Sequence, residues 1–246
     1  MRNFKLLLAY DGTRYKGWQR LGNSDQTIQG KLEAVLTKMV GTPVEVIGSG
    51  RTDAGVHAMG QIANFHAMTT MSCEEICCYL RQYLPEDIGV LSVEEVDARF
   101  HSRYNAAKKT YCYRIWNSGN PCVFERKYVW PVAERFDLGA MKEAAVYFLG
   151  THDFLAFCSN KHFKKSSVRT IYALDIDRSG EELQFRITGD GFLYNMVRIM
   201  VGTLLDVGRG TLHPQDIPEL FEKKSRVEAG MTAPARGLCL MEVEYR

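Results

Sequence analysis

The chain has 246 residues, of which 46% are apolar, so it can bury a core without metal or disulfide bonds, in one large or two small domains. Its seven cysteines are odd in number, and its first residues lack the apolar run of a signal peptide. No segment approaches the roughly twenty apolar residues of a membrane span. We therefore expect a soluble, cytoplasmic protein with no membrane partner, and a net charge of +2 does not by itself indicate nucleic acid.

Residues 1–97 predict six elements in the order β-α-β-β-α-β. The predicted strands are "NFKLLLAYDG", "VEVIGSG", "GQIANFHAM" and "DIGVLSVEEVD", and the predicted helices are "TIQGKLEAVLTKMVG" and "SCEEICCYLRQYL". The second helix opens with a capping box, in which Ser72 is followed three residues later by Glu75. This order is the ferredoxin-like arrangement, which RNA-recognition folds also use.

The rest of the chain predicts a second mixture of strands and helices. Strands are expected at "KTYCYRIWN", "IYALDIDR", "ELQFRITG" and "LCLMEVEYR", and helices at "FDLGAMKEAAVYFLG", "GFLYNMVRIMVGTLLDVG" and "HPQDIPELFEKK". The sequence therefore predicts two α+β domains, residues 1–105 and 106–246.

Charges are unevenly distributed along the chain, and two basic segments contain no acidic residue. Residues 99–114, "RFHSRYNAAKKTYCYR", hold five lysines or arginines and four aromatic side chains, and residues 154–174 contain "KHFKKSSVR". Charge runs are most often solvated surface. Basic residues interleaved with aromatic ones are also what phosphates and unstacked bases require, so an RNA-facing surface is a competing interpretation.

The segment "VIGSGRTDAGVHAMGQ", residues 46–61, is rich in glycine and begins in an apolar strand. It lacks the Gly-Lys-Ser/Thr of a phosphate-binding loop, and Asp53 with His57 has no third ligand nearby, so the pattern disfavours nucleotide and metal sites. Glycines let a bulky substrate approach the backbone, and an Asp53 beside Arg51 stays ionised, as a nucleophile or base requires. A carboxylate that only caps the turn fits equally well.

Arg198 lies in an almost wholly apolar predicted helix, so we expect it to be half-buried. An unpaired buried guanidinium is costly, so it requires a carboxylate partner. Asp53 is the partner that we propose, with the local Asp190 and Asp206 as alternatives.

Tyr111 and Tyr113 share one face of the predicted strand "KTYCYRI", because side chains alternate along a strand. Tyrosines in such positions usually fill a core. Beside a basic surface they could also stack on a base or move a proton, and periodicity does not decide between these roles.

Several segments together resemble the TruA family of tRNA pseudouridine synthases, nearly from end to end of the chain. They are "YDGTRYKGWQR", "TIQGKLE", "GSGRTDAGVHAMGQIANF", "RFHSRYNAAKKTYCYRI", "GTHDFLAF", "VRTI", "GDGFLYNMVRIMVGTLLDVGRG" and "TAPARGLCLMEVEY". Leu21 and Ser49 depart from the commonest family pattern, which leaves open which uridines and which RNAs are modified.

The resemblance implies an isomerase that breaks the N-glycosidic bond of uridine in tRNA and rejoins C5 of the base to the ribose, with no cofactor and no metal. It assigns the catalytic aspartate to Asp53 and substrate contacts to Arg51, Tyr111, Arg198 and Leu238. It further implies a homodimer, and two ferredoxin-like-type domains whose mixed, mostly antiparallel sheets meet at a central basic cleft. The expected target is a uridine at the 3′ side of the anticodon stem-loop, at tRNA positions 38–40.

The chemistry of the residues is consistent with this resemblance. A uridine in a stem has to be flipped out before a side chain can reach it, and an ionised Asp53 could then attack uracil C6 or ribose C1′. The sequence does not choose between these attacks. A non-catalytic RNA-binding module is the rival class, but it would need neither a carboxylate on a glycine-rich loop nor a buried arginine to match it.

Overall fold

The chain divides into two compact units in the computed structural model, which describes residues 1–160 and 165–246. Part of the basic segment "KHFKKSSVR" therefore lies outside the described residues. Unit 1 comprises Met1–Ala107 together with Cys239–Arg246, and unit 2 comprises Lys108–Leu238. Within the described ranges, no helix is long and apolar enough to cross a membrane.

Strands and helices are mixed in both units. In chain order the elements are β1 (Arg2–Tyr10), α1 (Ile28–Val40), β2 (Val46–Gly48), β3 (His57–Ala67), α2 (Cys73–Tyr83), β4 (Ile88–Val96), β5 (Ala106–Trp116), β6 (Trp130–Pro131), α3 (Leu138–Val146), β7 (Gly150–Asp153), β8 (Val168–Ser179), β9 (Glu182–Gly189), α4 (Met196–Gly208), α5 (Ile217–Lys223) and β10 (Leu238–Tyr245). Most strand pairs are antiparallel, which confirms the predicted α+β class with mixed, mostly antiparallel sheets.

The sheet of unit 1 is centred on β1, which lies between β4 and β3 and is antiparallel to both. β3 is long enough to pair with two further strands. Near its end it pairs with β2 in antiparallel fashion, Val46 opposite Phe65. Near its start it pairs in parallel with β10, Cys239 opposite His57.

Local sequence explains why the elements of unit 1 form. β1 buries the alternate side chains Phe4, Leu6 and Leu8, as a strand with one face in a core does. In α1, the Thr27 side chain accepts the N–H of Gly30, and Gly41, with φ 75°, caps the end of the helix. The predicted capping box of Ser72 and Glu75 is present in α2.

Unit 2 has a sheet in the order β5-β9-β8-β7 with antiparallel pairs, and the two-residue β6 runs parallel beside β5. Its central helix, α4, buries eleven of its thirteen residues. A helix that is apolar on every side has to lie inside the protein, so α4 is the core of this unit. The 229–233 backbone packs directly on it, since a Cβ at Gly202 would lie 1.9 Å from the carbonyl oxygen of Met231.

Several boundaries differ from the sequence prediction, most of all the start of α4. The helix expected from Gly191 begins at Met196, because Asn195 has φ 62°, which an α-helix does not accommodate. β3 begins at His57, three residues before the predicted Gly60. The strands β6 and β7 were not predicted, because two and four residues are too short to give a clear alternation.

Candidate active site

The loop that carries Asp53 joins β2 to β3 and is anchored through Thr52. The hydroxyl oxygen of Thr52 lies 2.8 Å from that of Tyr10, and the carbonyl oxygen of Thr52 accepts the N–H of Trp18 at 2.9 Å. Thr52 is buried, Asp53 is half-buried and Arg51 is exposed. These anchors fix the backbone of the catalytic candidate while its side chain stays partly exposed.

Backbone hydrogen bonds close the turn that follows Asp53. The N–H of Val56 donates to the carbonyl oxygen of Asp53 at 3.1 Å, and the N–H of Gly55 donates to that of Tyr15 at 3.3 Å. Gly55 has φ 78°, in the left-handed region that favours glycine. The glycine at this position is therefore required by the shape of the turn.

The backbone of the segment before α1 packs against the backbone of this loop. Gly17 has φ 95°, and a Cβ there would lie 2.6 Å from the carbonyl oxygen of Thr52 and 3.1 Å from the carbonyl carbon of Asp53. Only glycine permits so close an approach. The motif "YDGTRYKGWQR" therefore supplies the surface on which the Asp53 loop rests.

His57 and Ser49 lie at the two ends of the loop and bond within the protein. His57 is buried, and its Nδ1 accepts the N–H of Gly12 at 3.1 Å. The buried Ser49 donates from Oγ to Oε1 of Gln61 at 2.6 Å. In residues 1–160 and 165–246, no group of three His, Cys, Asp or Glu side chains is arranged to hold a metal ion.

In unit 2, Tyr111 lies in β5 opposite Ile187 of β9 and is buried, with 8% of its surface exposed. Its ring meets the ring of Phe192 edge to face, with the centroids 5.1 Å apart and the planes at 85°. Phe192 belongs to the turn between β9 and α4. Tyr111 thus has an aromatic neighbour that sets the orientation of its ring.

Leu238 ends a short stretch, the 233–238 segment, that packs on Tyr113. The hydroxyl of Tyr113 donates to the carbonyl oxygen of Pro234 at 2.7 Å, and a Cβ at Gly237 would lie 2.6 Å from the Tyr113 ring. Burial raises the pKa of Tyr113, and the positive charges of Arg198 and Arg236 oppose that shift. Leu238 itself is buried.

Arg198 is half-buried in the first turn of α4, as predicted. Its Nε donates to the carbonyl oxygen of Ala233 at 2.6 Å, and its Nη1 donates to Oδ1 of Asn195 at 2.8 Å. The N–H of Ala233 returns a hydrogen bond to the carbonyl oxygen of Arg198 at 3.1 Å. Two acceptors on different nitrogens fix both the position and the plane of the guanidinium.

The two local alternatives for the partner of Arg198 make other contacts. Oδ1 of Asp190 accepts the N–H of Thr170 at 3.0 Å, and Oδ1 of Asp206 lies 2.9 Å from Nη1 of Arg209. Asp206 is also eight residues farther along the same helix, which corresponds to about 12 Å. These contacts weaken both alternatives, and the pairing of Arg198 with Asp53 stays a prediction.

The predicted site residues fall into two sets. Unit 1 holds Arg51 and Asp53 on one loop, and unit 2 holds the others, where the 233–238 segment connects Arg198 with Leu238 and Tyr111 lies two residues from Tyr113 along β5. Sequence reasoning missed Asn195 and Ala233, which orient Arg198. An asparagine inside an apolar helical pattern was the one signal that could have identified Asn195.

Known proteins similar to this one match it over its whole length. Residues 7–105 and 144–246 match a family described as tRNA pseudouridine synthase. The tRNA pseudouridine synthase A 2 of Bacillus cereus (strain ZK / E33L) is 49% identical over 245 residues, which covers 100% of both chains. The tRNA pseudouridine synthase A of Acetivibrio thermocellus is 46% identical with the same coverage.

Solved structures give a weaker comparison. A chain in the structure titled "Crystal Structure of a Cbf5-Nop10-Gar1 Complex" is 11% identical, and the match covers 96% of this chain and 48% of that one. Its TM-score of 0.39 is too low to support any conclusion.

Proposed function

Because the chain belongs to the tRNA pseudouridine synthase family and is an isomerase that acts on tRNA, we propose that Asp53 is the carboxylate that starts the conversion of uridine to pseudouridine. The observation that carries this role is the anchoring of its loop by Tyr10, Tyr15 and Trp18, with the Asp53 side chain half-buried. A covalent catalyst has to be held where it meets one atom of the substrate.

The reaction exchanges one bond to the ribose for another. The bond between N1 of uracil and C1′ breaks, a bond between C5 and C1′ forms, C5 loses its proton and N1 gains one. The base first has to leave the stack of the stem, at a cost of a few kcal/mol. Asp53 then attacks either C6 of the base or C1′ of the ribose, and the carboxylate is released when the product leaves.

Arg198 is the residue that we assign to orient the Asp53 carboxylate. Three facts support this role: the guanidinium is held by Ala233 and Asn195, it is half-buried, and Asp190 and Asp206 have other partners. A nearby guanidinium favours the charged form of a carboxylate, which is the form that a nucleophile requires.

The remaining site residues contact the substrate in this proposal. Arg51 is exposed two residues before Asp53, where it can hold the flipped nucleotide or fill the space that the base leaves. Tyr111 either stacks on the uracil or removes the C5 proton. Leu238 packs near the base, and its neighbour in the chain, Cys239, pairs with His57, four residues after Asp53.

We place the target uridine at the 3′ side of the anticodon stem-loop, tRNA positions 38–40, and expect a cytoplasmic homodimer with ferredoxin-like domains around a basic cleft. The strand order β4-β1-β3, with β2 on β3, supports the ferredoxin-like assignment for unit 1. The exposed Arg99 and Arg103 support a basic surface. No cofactor and no metal enters the proposed reaction.

The first prediction tests Asp53 directly. We expect Asp53→Asn to abolish pseudouridine formation and to leave the Kd for tRNA within about twofold, because an amide cannot act as the nucleophile but fills the same space. The measurement is incubation with unmodified tRNA transcripts, followed by chemical mapping of pseudouridine at every uridine.

Asp25→Asn is the matched control, since Asp25 is an exposed carboxylate that pairs with Lys31, and this variant is expected to retain full activity. Turnover in the Asp53→Asn variant would remove Asp53 from the catalytic role. The wild-type map separately tests the target site, because pseudouridine outside the anticodon stem-loop would exclude positions 38–40 as the main target.

A further inference from the structure

The loop between β4 and β5, residues 97–105, presents an aromatic ring to solvent. Tyr104 in this loop is 79% exposed. Its ring rests on the ring of His101, with the centroids 4.1 Å apart and the planes at 32°. A large ring that lies outside the core but is backed by a second ring has an ordered free surface.

Hydrogen bonds hold the His101 ring in place beneath Tyr104. Its Nδ1 accepts the backbone N–H groups of Arg103 at 3.2 Å and Tyr104 at 3.3 Å. The N–H of His101 donates to Oδ1 of Asn105 at 2.7 Å, and its carbonyl oxygen accepts the N–H of Asn105 at 3.0 Å. The tip of the loop is therefore a closed turn.

Buried amides hold the base of the same loop. Oδ1 of Asn64 accepts both the N–H and the hydroxyl of Ser102, at 2.9 and 2.7 Å, and its Nδ2 donates to Oδ1 of Asn3 at 3.0 Å. Nδ2 of Asn3 donates to the carbonyl oxygens of Asp97 and Phe100, both at 2.9 Å. Buried amides are costly unless they are bonded, so this network makes the loop conformation specific.

The charges around Tyr104 indicate what the ring contacts. Arg99 and Arg103 are exposed on the same loop. The carboxylate of Asp97 accepts the N–H of Arg99 at 2.8 Å and is thereby committed to the turn. An ordered aromatic face with cations beside it is the combination that binds single-stranded nucleic acid, in which bases stack and phosphates are neutralised.

We propose that Tyr104, backed by His101, is a stacking platform for an unpaired base of the bound tRNA, and that Arg99 and Arg103 contact the phosphates beside that base. The inference rests on the proposed function only in taking tRNA as the ligand. It assigns a contact away from the reacting uridine, so the platform contributes to tRNA binding and leaves the chemical step unchanged.

The test measures tRNA binding in the Asp53→Asn background, where no turnover is needed. We expect Tyr104→Ala to weaken tRNA binding about tenfold, because stacking on an aromatic side chain strengthens binding by about that factor per base. Tyr104→Trp, which keeps a large ring, is expected to bind within about twofold of the parent. With Asp53 restored, Tyr104→Ala is expected to raise KM and leave kcat unchanged.

A fluorescent base analogue gives a direct readout. With 2-aminopurine at one unpaired tRNA position at a time, we expect one position to be quenched on binding to the parent and to Tyr104→Trp, but not to Tyr104→Ala. Tyr83→Ala is the matched control: Tyr83 is 55% exposed and rests on Tyr79 at 4.5 Å, but Glu86 and Asp87 follow it in the chain. It is expected to bind normally.

The stacking proposal would be wrong if Tyr104→Ala and Tyr83→Ala bound tRNA with equal affinity. It would also be wrong if Tyr104→Ala quenched the same 2-aminopurine position as the parent does. Thermal unfolding of each variant is measured to check that it is folded. Turnover by the Asp53→Asn variant would contradict the proposed catalytic role of Asp53 and would not affect the binding measurements on Tyr104. Failure of the catalytic proposal can therefore be distinguished from failure of the stacking proposal.

Discussion

Arg198 has two hydrogen bonds that a lysine cannot reproduce together, since Ala233 and Asn195 accept from different nitrogens of one planar group. We expect Arg198→Lys to lower kcat about 100-fold while the free energy of unfolding falls by only about 1 kcal/mol. Steady-state kinetics and urea unfolding measure the two effects.

Arg186→Lys is the control for this exchange, because Arg186 is exposed on β9 and the same change there is expected to leave both quantities nearly unaltered. A loss of stability in Arg198→Lys large enough to account for its loss of activity would assign a purely structural role to Arg198.

Asn195 combines a left-handed backbone with a side chain that accepts from Arg198. Asn195→Gly keeps the backbone conformation, whereas Asn195→Ala does not, so alanine should lower the free energy of unfolding by about 1–2 kcal/mol more than glycine. Both variants lose the acceptor, and we expect the same loss of kcat in each. Denaturant unfolding measures the stability of both variants, and steady-state kinetics measures their kcat. If the less stable Asn195→Ala also had the lower kcat, the hydrogen bond to Arg198 would have no part in turnover.

The sequence predicted the environment of some site residues but not of others. The half-burial of Arg198 followed from the apolar residues around it, because periodicity reports burial directly. The role of Asn195 did not follow, since a positive φ leaves no periodic signal and "FLYNMVR" reads as a continuous helix. The carbonyl of Ala233 is a backbone group, and its position depends on tertiary packing.

At the scale of elements, the support of the Asp53 loop depends on Gly17. We expect Gly17→Ala to lower the free energy of unfolding by about 2 kcal/mol and to reduce kcat at least about tenfold, because the new methyl group would displace Thr52 and Asp53 and strain a backbone at φ 95°. Thermal unfolding and pseudouridine formation measure the two effects.

Gly22→Ala is the control, since a Cβ at Gly22 meets no atom within 4 Å. This variant should be as stable and as active as the parent. If Gly17→Ala behaved in the same way, the close packing beneath the loop would not be what positions Asp53.

Long elements were predictable because their local signals agreed. The capping box placed the start of α2, and alternation placed β1. The end of one element and the start of the next were less predictable, as α4 and β3 show, because tertiary contacts and single backbone angles decide them. Pattern reasoning therefore identified the loop of Asp53 but not the segment that supports it.

At the scale of the whole molecule, the proposed homodimer predicts a mass of twice the 28.0 kDa of one chain. Sedimentation equilibrium of the protein without tRNA, at micromolar concentration, is expected to give that value. A single species of one chain's mass would contradict the homodimer and leave the catalytic assignment of Asp53 unaffected.

The sequence did not predict which strands pair with each other. The segment "LCLMEVEYR" predicts a strand, and β10 is there, but its parallel pairing with the start of β3 joins residues that lie far apart in the chain. Local patterns specify which face of a strand is buried and carry no information on such distant neighbours.

The position of β10 has a consequence for biosynthesis. Unit 1 needs Cys239–Arg246, and all of Lys108–Leu238 is translated before them. At ribosomal elongation rates that interval lasts roughly ten seconds. Throughout it, the strand that follows the Asp53 loop lacks one of its neighbours, so the sheet beside this loop is complete only after Cys239–Arg246 have been synthesised.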